Sequence, residues 1–317
     1  VRKDVLSMVS LFMGVGIWLG TKSQLTTYFA ARAHPGGSRP SKVQTMTEGP
    51  LHDLLGLLNL ETLDTNRFRA YHPPDRQRRL YGGQIMAQAL VAAARSSPSS
   101  RQVHSLHGYF LRPGDPKEPA LIEVECIRDG RSFTTRRVVV KQAGRAIFTM
   151  DVSLQERETG LSHQLDMPAG LAPPTDGKIP GGFAVRPFIA WRYDHKKLLR
   201  DEPHEARQSI WFKTTSPVPD EPLLHAALLV YESDNVLLGT ARMPHKGSFQ
   251  REDMQVASLD HAVWLHREFR VDEWLLYVVD SPSASGARGY TRGMIYRADG
   301  ALVASTMQEG LIRHRRG

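Results

Sequence analysis

Three polar residues interrupt apolar stretches of this chain and could carry chemistry. Asp234 lies in LLVYESDNVLLG, between two hydrophobic runs. Gln308 lies in a strand pattern whose face otherwise presents Leu302, Ala304, Thr306 and Ile312. Ser258 opens the apolar run SLDHAVWLH. A buried carboxylate or amide costs free energy unless it is paired, so such residues either satisfy one another or serve a reaction. A carboxylate, a hydroxyl and an amide that meet around one water make a hydrolytic site: the carboxylate draws off a proton and the neutral groups orient the oxygen. Backbone N–H groups at a helix start would then face the oxyanion of an attacked carbonyl. By spacing alone, the same residues also read as a turn Asp, a capping Ser and an edge-strand Gln.

Other chemistries find less support. His261 and His266 are five apart, about 140° round a helix at ~100° per residue, and no H-E-x-x-H string occurs, so no metal site is expected. There is no G-x-S-x-G, and Gly82-Gly83 has neither the third glycine of a dinucleotide fingerprint nor a Walker lysine. Those two glycines point instead to a close approach of backbone, to a sheet or to a ligand. The single cysteine, Cys126, excludes a disulfide framework and reads as an inert thiol buried in a strand.

The elements that must position these residues follow from periodicity. GGQIMAQALVAAARS, from Gly82, is apolar on nearly all faces apart from Gln84 and Gln88, and predicts a helix engulfed by the protein. Strand patterns VHSLHGYFLRP, ALIEVECI, SFTTRRVVVKQ and RAIFTMDVSLQ follow, separated by turn signals at Pro113-Gly114-Asp115, Asp129-Gly130 and Ala143-Gly144. The order recurs later in the chain. MQVASLDHAVWLHREF (254–269) predicts a second helix with Ser258 as its N-cap, followed by EWLLYVV, GYTRGMIYR and ALVASTMQEGLI. Matching KQAGRAIFTMDVSLQ to RADGALVASTMQEGL sets Gly144 against Gly300, so the chain reads as a duplicated unit.

The 317 residues allow two domains. Residues 46–157 are read as the first repeat, 158–183 as a Pro- and Gly-rich linker, and 184–317 as the second repeat with the site residues. Residues 1–45 are read as a leader outside the fold: apolar Val5 to Leu19 follows Arg2 and Lys3, but is short for a membrane span. Of the formal charge of +8, this leader holds six Lys/Arg against one Asp, so the body is only mildly basic and nucleic-acid binding is not expected.

Together the strings YGGQIMAQAL, HSLHGYFLRPGD, IRDGRSFTTRRV, YESDNVLLG, SLDHAVWLH, WLLYVVDSPSASGARGYTRGMIY and VASTMQEGLIR resemble the TesB-type acyl-CoA thioesterase II family, over nearly everything from Leu51 to Arg313. The resemblance implies an α+β double hotdog, in which each repeat wraps a curved antiparallel sheet round a long buried helix. It implies hydrolysis of acyl-CoA to fatty acid and coenzyme A by an activated water, with no covalent enzyme intermediate and no metal or other cofactor. A non-catalytic acyl-CoA binding protein on the same fold is the alternative.

Asp234, Ser258 and Gln308 match the family's catalytic positions, with Ser258 where many relatives carry Thr. Glu232 stands where relatives often have an apolar residue and, on a strand, would share a face with Asp234. Gly82, Gly83 and Arg288 are candidate substrate-binding residues, with Arg288 and Arg292 the candidates for the coenzyme A phosphates. The resemblance also implies a homo-oligomer with no membrane association of the folded body. The C-terminal His314-Arg315-Arg316-Gly317 is not a Ser-Lys-Leu-type peroxisomal signal, and cytoplasm is the expected compartment.

Overall fold

A computed structural model describes residues 49–72, 79–175, 187–192, 200–249 and 253–315. The leader reading and residues 176–183 of the linker lie outside the described residues. Four α-helices carry the labels α1 (Pro50–Leu58), α2 (Gly82–Arg95), α3 (Pro222–Ser233) and α4 (Leu237–Ala241). The first-repeat strands are β1 (Glu61–Asp64), β2 (Arg67–Ala70), β3 (Gln102–Phe110), β4 (Ala120–Asp129), β5 (Phe133–Gln142) and β6 (Arg145–Gln155). The second repeat has β7 (Phe188–Arg192), β8 (Arg207–Thr214), β9 (Met254–Ser258), β10 (Asp260–Leu265), β11 (Leu275–Ser285), β12 (Arg288–Arg297) and β13 (Leu302–His314).

Among the described residues these strands form one antiparallel sheet in the order β1-β2-β4-β5-β6-β3-β10-β13-β12-β11-β8-β7, with β9 added beside β13. The order reads the same from either end once β3 is matched to β10, β6 to β13 and β5 to β12. Two six-stranded sheets, each crossed by one buried helix, are therefore fused along β3 and β10. Backbone pairing from Asp260 with Tyr109 to Trp264 with Ser105 makes that seam, and Asp260 Oδ2 meets His107 Nε2 across it at 3.1 Å. The turns set against each other by the sequence alignment are equivalent: Gly144 and Gly300 both hold positive φ at the β5–β6 and β12–β13 hairpins.

Both helices form because each is a run of Ala and Leu bounded by turn residues. Every residue of α2 from Gly83 to Ala93 is buried. Its two glutamines are satisfied: Gln88 Nε2 donates to Leu57 O at 2.9 Å, and Gln84 Nε2 lies 2.9 Å from His72 Nδ1. Pro222 starts α3, where its missing N–H costs no helix hydrogen bond. Along β6, Phe148, Met150, Val152 and Leu154 are buried, as the period-two pattern requires.

Three local expectations change. The helix of the second repeat is residues 222–233, whereas 254–265 forms two short strands, so Ser258 ends β9 and caps no helix. Central position explains this: β10 is hydrogen-bonded to β3 on one side and β13 on the other, and consecutive burial of His261, Ala262 and Val263 mimics a helical stripe. Glu232 and Asp234 sit at the end of a helix, where residues two apart diverge by about 200°. Glu232 there accepts from Asn235 Nδ2 at 2.9 Å. Cys126 is exposed, because the outer end of β4 runs past the last pair with β2 and is bulged near Cys126 and Arg128.

The described part of the linker, 158–175, lies against the second repeat. Gln164 donates to Gly300 O and accepts from Leu302 N, while Met167 and Leu171 pack on Trp211, Leu276, Tyr296 and Leu302. Among the described residues no helix is long and apolar enough to cross a membrane.

Candidate active site

Asp234 follows the last residue of α3, and the end of that helix is held carbonyl by carbonyl. A helix leaves its last four C=O groups without intrahelical partners. Here Val230 O accepts from Ser233 Oγ at 3.0 Å, Tyr231 O from the Tyr81 hydroxyl at 2.9 Å, and Ser233 O from the Tyr277 hydroxyl at 3.1 Å. Glu232 O takes the backbone N–H of Asn235. All four are satisfied, and two of the donors are tyrosines from elsewhere in the chain. The position of Asp234 is fixed before its side chain makes any contact.

The Asp234 carboxylate is half-buried and takes three donors from distant segments. Gln308 Nε2, on β13, donates to Oδ1 at 2.6 Å. The backbone N–H of Gly83, in the first turn of α2, donates to Oδ2 at 3.0 Å. The Ser258 hydroxyl, on β9, donates to the same carboxylate. Burial pushes the Asp234 carboxyl above the ordinary aspartate value, and these three hydrogen bonds oppose the rise. The result is a carboxylate more basic than a solvated one.

The two glycines explain how the chain comes this close. A Cβ at Gly82 would stand 2.7 Å from Asp234 Oδ2, and one at Gly83 would stand 2.2 Å from Tyr231 O. No other residue type lets the start of α2 meet the end of α3. The close approach expected of these glycines is thus to backbone and carboxylate of the other repeat.

Behind Gln308 lies a residue to which the sequence alone assigns no role. His261, on β10, is fully buried, and burial pushes its imidazole down to about 3, so it is neutral. Its Nε2 is 2.9 Å from Ser233 Oγ and its Nδ1 is 3.3 Å from Gln308 Nε2. Ser233 already donates its one hydroxyl proton to Val230 O, so it accepts from His261. That assigns the proton to Nε2 and leaves Nδ1 as an acceptor for Gln308. Both hydrogens of the Gln308 amide are then committed, one to Asp234 and one to His261. The amide oxygen is buried with no partner within the protein. The signal available beforehand was an imidazole beside Asp260 in an otherwise apolar central run.

Arg288 stands apart from this cluster. It is exposed on β12 and its Nε meets Glu309 Oε1 at 2.8 Å, while Arg292 makes a two-pronged pair with Asp280 at 2.8 and 3.1 Å. Among the described residues no group of three His, Cys, Asp or Glu side chains is arranged to hold a metal ion.

Comparison with known proteins agrees with this architecture. Residues 188–311 match a family model described as acyl-CoA thioesterase, and residues 72–155 match one described as acyl-CoA thioesterase N-terminal domain. The chain is 38% identical to acyl-coenzyme A thioesterase 8 of Mus musculus over 84% of its length and 91% of the relative's. It is 36% identical to acyl-CoA thioesterase 2 of Haemophilus influenzae, over 83% and 98%. Among solved structures, the acyl-CoA thioesterase II TesB2 of Mycobacterium marinum superposes with a TM-score of 0.72 at 45% identity, covering 84% of this chain and 98% of that one. With one model on each half of a fused pair of sheets, and relatives matched over nearly their whole length, the chain belongs to the TesB-type acyl-CoA thioesterase II family of double hotdog proteins.

Proposed function

We propose that the protein hydrolyses acyl-CoA thioesters to a free carboxylic acid and coenzyme A, using Asp234, Ser258 and Gln308 to activate a water. The observation that carries this reading is the convergence of three donors on one half-buried, basic carboxylate. Family membership supports the substrate class.

Asp234 takes a proton as the water oxygen bonds to the thioester carbonyl carbon. The free Gln308 oxygen orients that water by accepting its other hydrogen, and Ser258 holds the Asp234 carboxylate that receives the first. Negative charge grows on the carbonyl oxygen, and the amides of the first turn of α2 supply the partial positive charge that stabilises it. When the C–S bond breaks, the proton held by Asp234 passes to the departing sulfur and the carboxylate is restored. His261 is a positioning residue, since it holds the Gln308 amide with its nitrogen towards Asp234. Every group the step needs is a side chain or amide of this chain, so the proposal invokes no cofactor.

The test is release of thiol from palmitoyl-CoA, read with a thiol reagent, for the parent and Asp234→Asn. The proposal expects steady turnover without an initial burst by the parent, and a rate lower by orders of magnitude in the variant. Tight binding of palmitoyl-CoA with no thiol release would identify a binding protein instead. A stoichiometric burst would mean an acyl-enzyme.

A further inference from the structure

A second polar feature lies along the two strands that carry Ser258 and Gln308 and is not used in the chemistry. A cleft of about 360 Å³ is lined by Arg79, Gln255, Arg313 and Arg315. Three arginines facing one cleft repel one another, so neighbouring carboxylates normally accompany them. Among the described residues none of the three forms an ion pair. Arg313 Nε donates to Gln255 Oε1 at 2.9 Å and Arg315 Nε to Met254 O at 3.4 Å, which orients both side chains, and their terminal nitrogens have no further partner among the described residues. Arg79 makes no hydrogen bond among the described residues. By contrast, Arg288 and Arg292 are each neutralised by a carboxylate.

The place of the cleft relates it to the site. Gln255 pairs with Arg313 and Ser258 with Gly310, three steps along the same two-stranded ribbon and so about 10 Å apart. Arg79 precedes Gly82 by three residues. Two strings of the active site therefore run directly into the arginines. Alternation turns Gln255 and Arg313 to the face opposite Ser258, and β9, which pairs only with β13 among the described residues, is an edge past which a chain can run. Coenzyme A has the matching form: a thioester sulfur at one end of a long flexible pantetheine arm, and a diphosphate and a 3′-phosphate at the other.

We propose that the Arg79, Gln255, Arg313 and Arg315 cleft is the subsite for the phosphate groups of the coenzyme A moiety. The inference rests on the hydrolase reading above and adds the recognition that selects this thioester from others. Planar guanidinium groups match phosphate oxygens in two-pronged geometry. The amide of Gln255, its oxygen held by Arg313, can add a neutral donor.

The experiment compares palmitoyl-CoA with S-palmitoylpantetheine, which has the same thioester and arm but no phosphate. Parent, Arg79→Gln, Arg313→Gln, Arg315→Gln, the triple variant and Arg288→Gln are assayed on both. Each cleft substitution is expected to raise KM for palmitoyl-CoA about fivefold and the triple far more, as for loss of a charge-assisted contact of ~1 kcal/mol, with kcat preserved. KM for the pantetheine thioester should not move. An equal rise on both substrates, an unchanged KM for palmitoyl-CoA, or a larger effect of Arg288→Gln than of Arg313→Gln would overturn the proposal. Calorimetric titration of parent and triple variant with free coenzyme A separates this inference from the hydrolase reading. If the parent turns over neither substrate, coenzyme A affinity lost in the triple variant still supports the subsite, and equal affinity in both refutes it.

Discussion

The two repeats share one plan and differ at the position that matters. In the first, Leu106 on β3 pairs with Val152 on β6, and both are buried. Setting Gly144 on Gly300 superposes these on His261 and Gln308, which are neighbours because Ala262 pairs with Met307 one step along. An apolar cross-strand pair in one copy is thus a hydrogen-bonded polar pair in the other. The helix ends differ likewise. The end of α3 delivers Asp234, whereas Ser96, which caps α2, offers its carbonyl to Arg136 at 3.0 and 3.2 Å. The helix starts differ in the opposite sense, since α2 opens with Gly82-Gly83 and α3 with Pro222-Leu223. One repeat contributes a bare helix start with one amide donor, the other the carboxylate and its two side-chain donors, and the symmetry-related strands carry buried apolar residues instead.

The largest effect should come from the group found in only one copy. Asp234→Asn keeps the shape and removes the base, and thiol release from palmitoyl-CoA should fall by about 10²–10⁴-fold, the range typical for loss of a general base. Circular dichroism should show the fold intact.

Next, the pair swap His261→Leu with Gln308→Val makes the second repeat resemble the first. Activity should fall by about 10²-fold; Asp234 loses its Gln308 donor here too, so thermal stability falls, but by less than in Gln308→Val alone, because the imidazole leaves with its partner. Gln308→Val alone leaves Asp234 and His261 short of a donor, and chemical denaturation should show a loss of about 1–3 kcal/mol. If the double variant is the less stable of the two, the comparison between repeats is wrong.

Gly83→Ala should cost about 1–3 kcal/mol, since its Cβ must displace backbone of α3. Activity should fall with it as the ends of α2 and α3 separate. At the corresponding start of α3, Leu223→Ala should leave the rate within about twofold, being a half-buried residue away from the cluster.

The smallest effect concerns acidity. The proposed base works only as a carboxylate, and burial raises its pKa, so the rate should fall on acidification with a midpoint above the ordinary aspartate range. Gln308 hydrogen-bonds the charged form and lowers that pKa, so in Gln308→Ala the residual activity should lose its acid limb at a higher pH than in the parent. A midpoint shifted downwards would contradict the geometry. For stability the sign is reversed: a carboxyl raised in the folded state favours folding while protonated, and that contribution is lost as pH rises through the folded value.

The strands of the first repeat and helix α2 are legible in the sequence because their periods are clean and their turns are marked by Pro, Asp and Gly, with positive φ at Gly144. The second helix is not, since the best helical stripe belongs to a central strand buried on both faces, and periodicity alone does not separate the two. Asp234, Ser258 and Gln308 stand out as polar interruptions of apolar runs. His261, Ser233 and Tyr277 do not, because their importance lies in whom they touch across 28 to 44 residues of chain. Arg288 drew attention within a motif, and only coordinates reveal that Glu309 already occupies it.

The seam along β3 and β10 bears on how this molecule could be taken apart. All the groups gathered at Asp234 are brought together by strand pairing and by the contact of α2 with α3, and the described part of the joining peptide packs on the second repeat. Two separate polypeptides, one ending after β6 and the other starting before β7, would retain the complementary edges needed to find each other. Thiol release on mixing two silent solutions would then serve as a split reporter of their reunion.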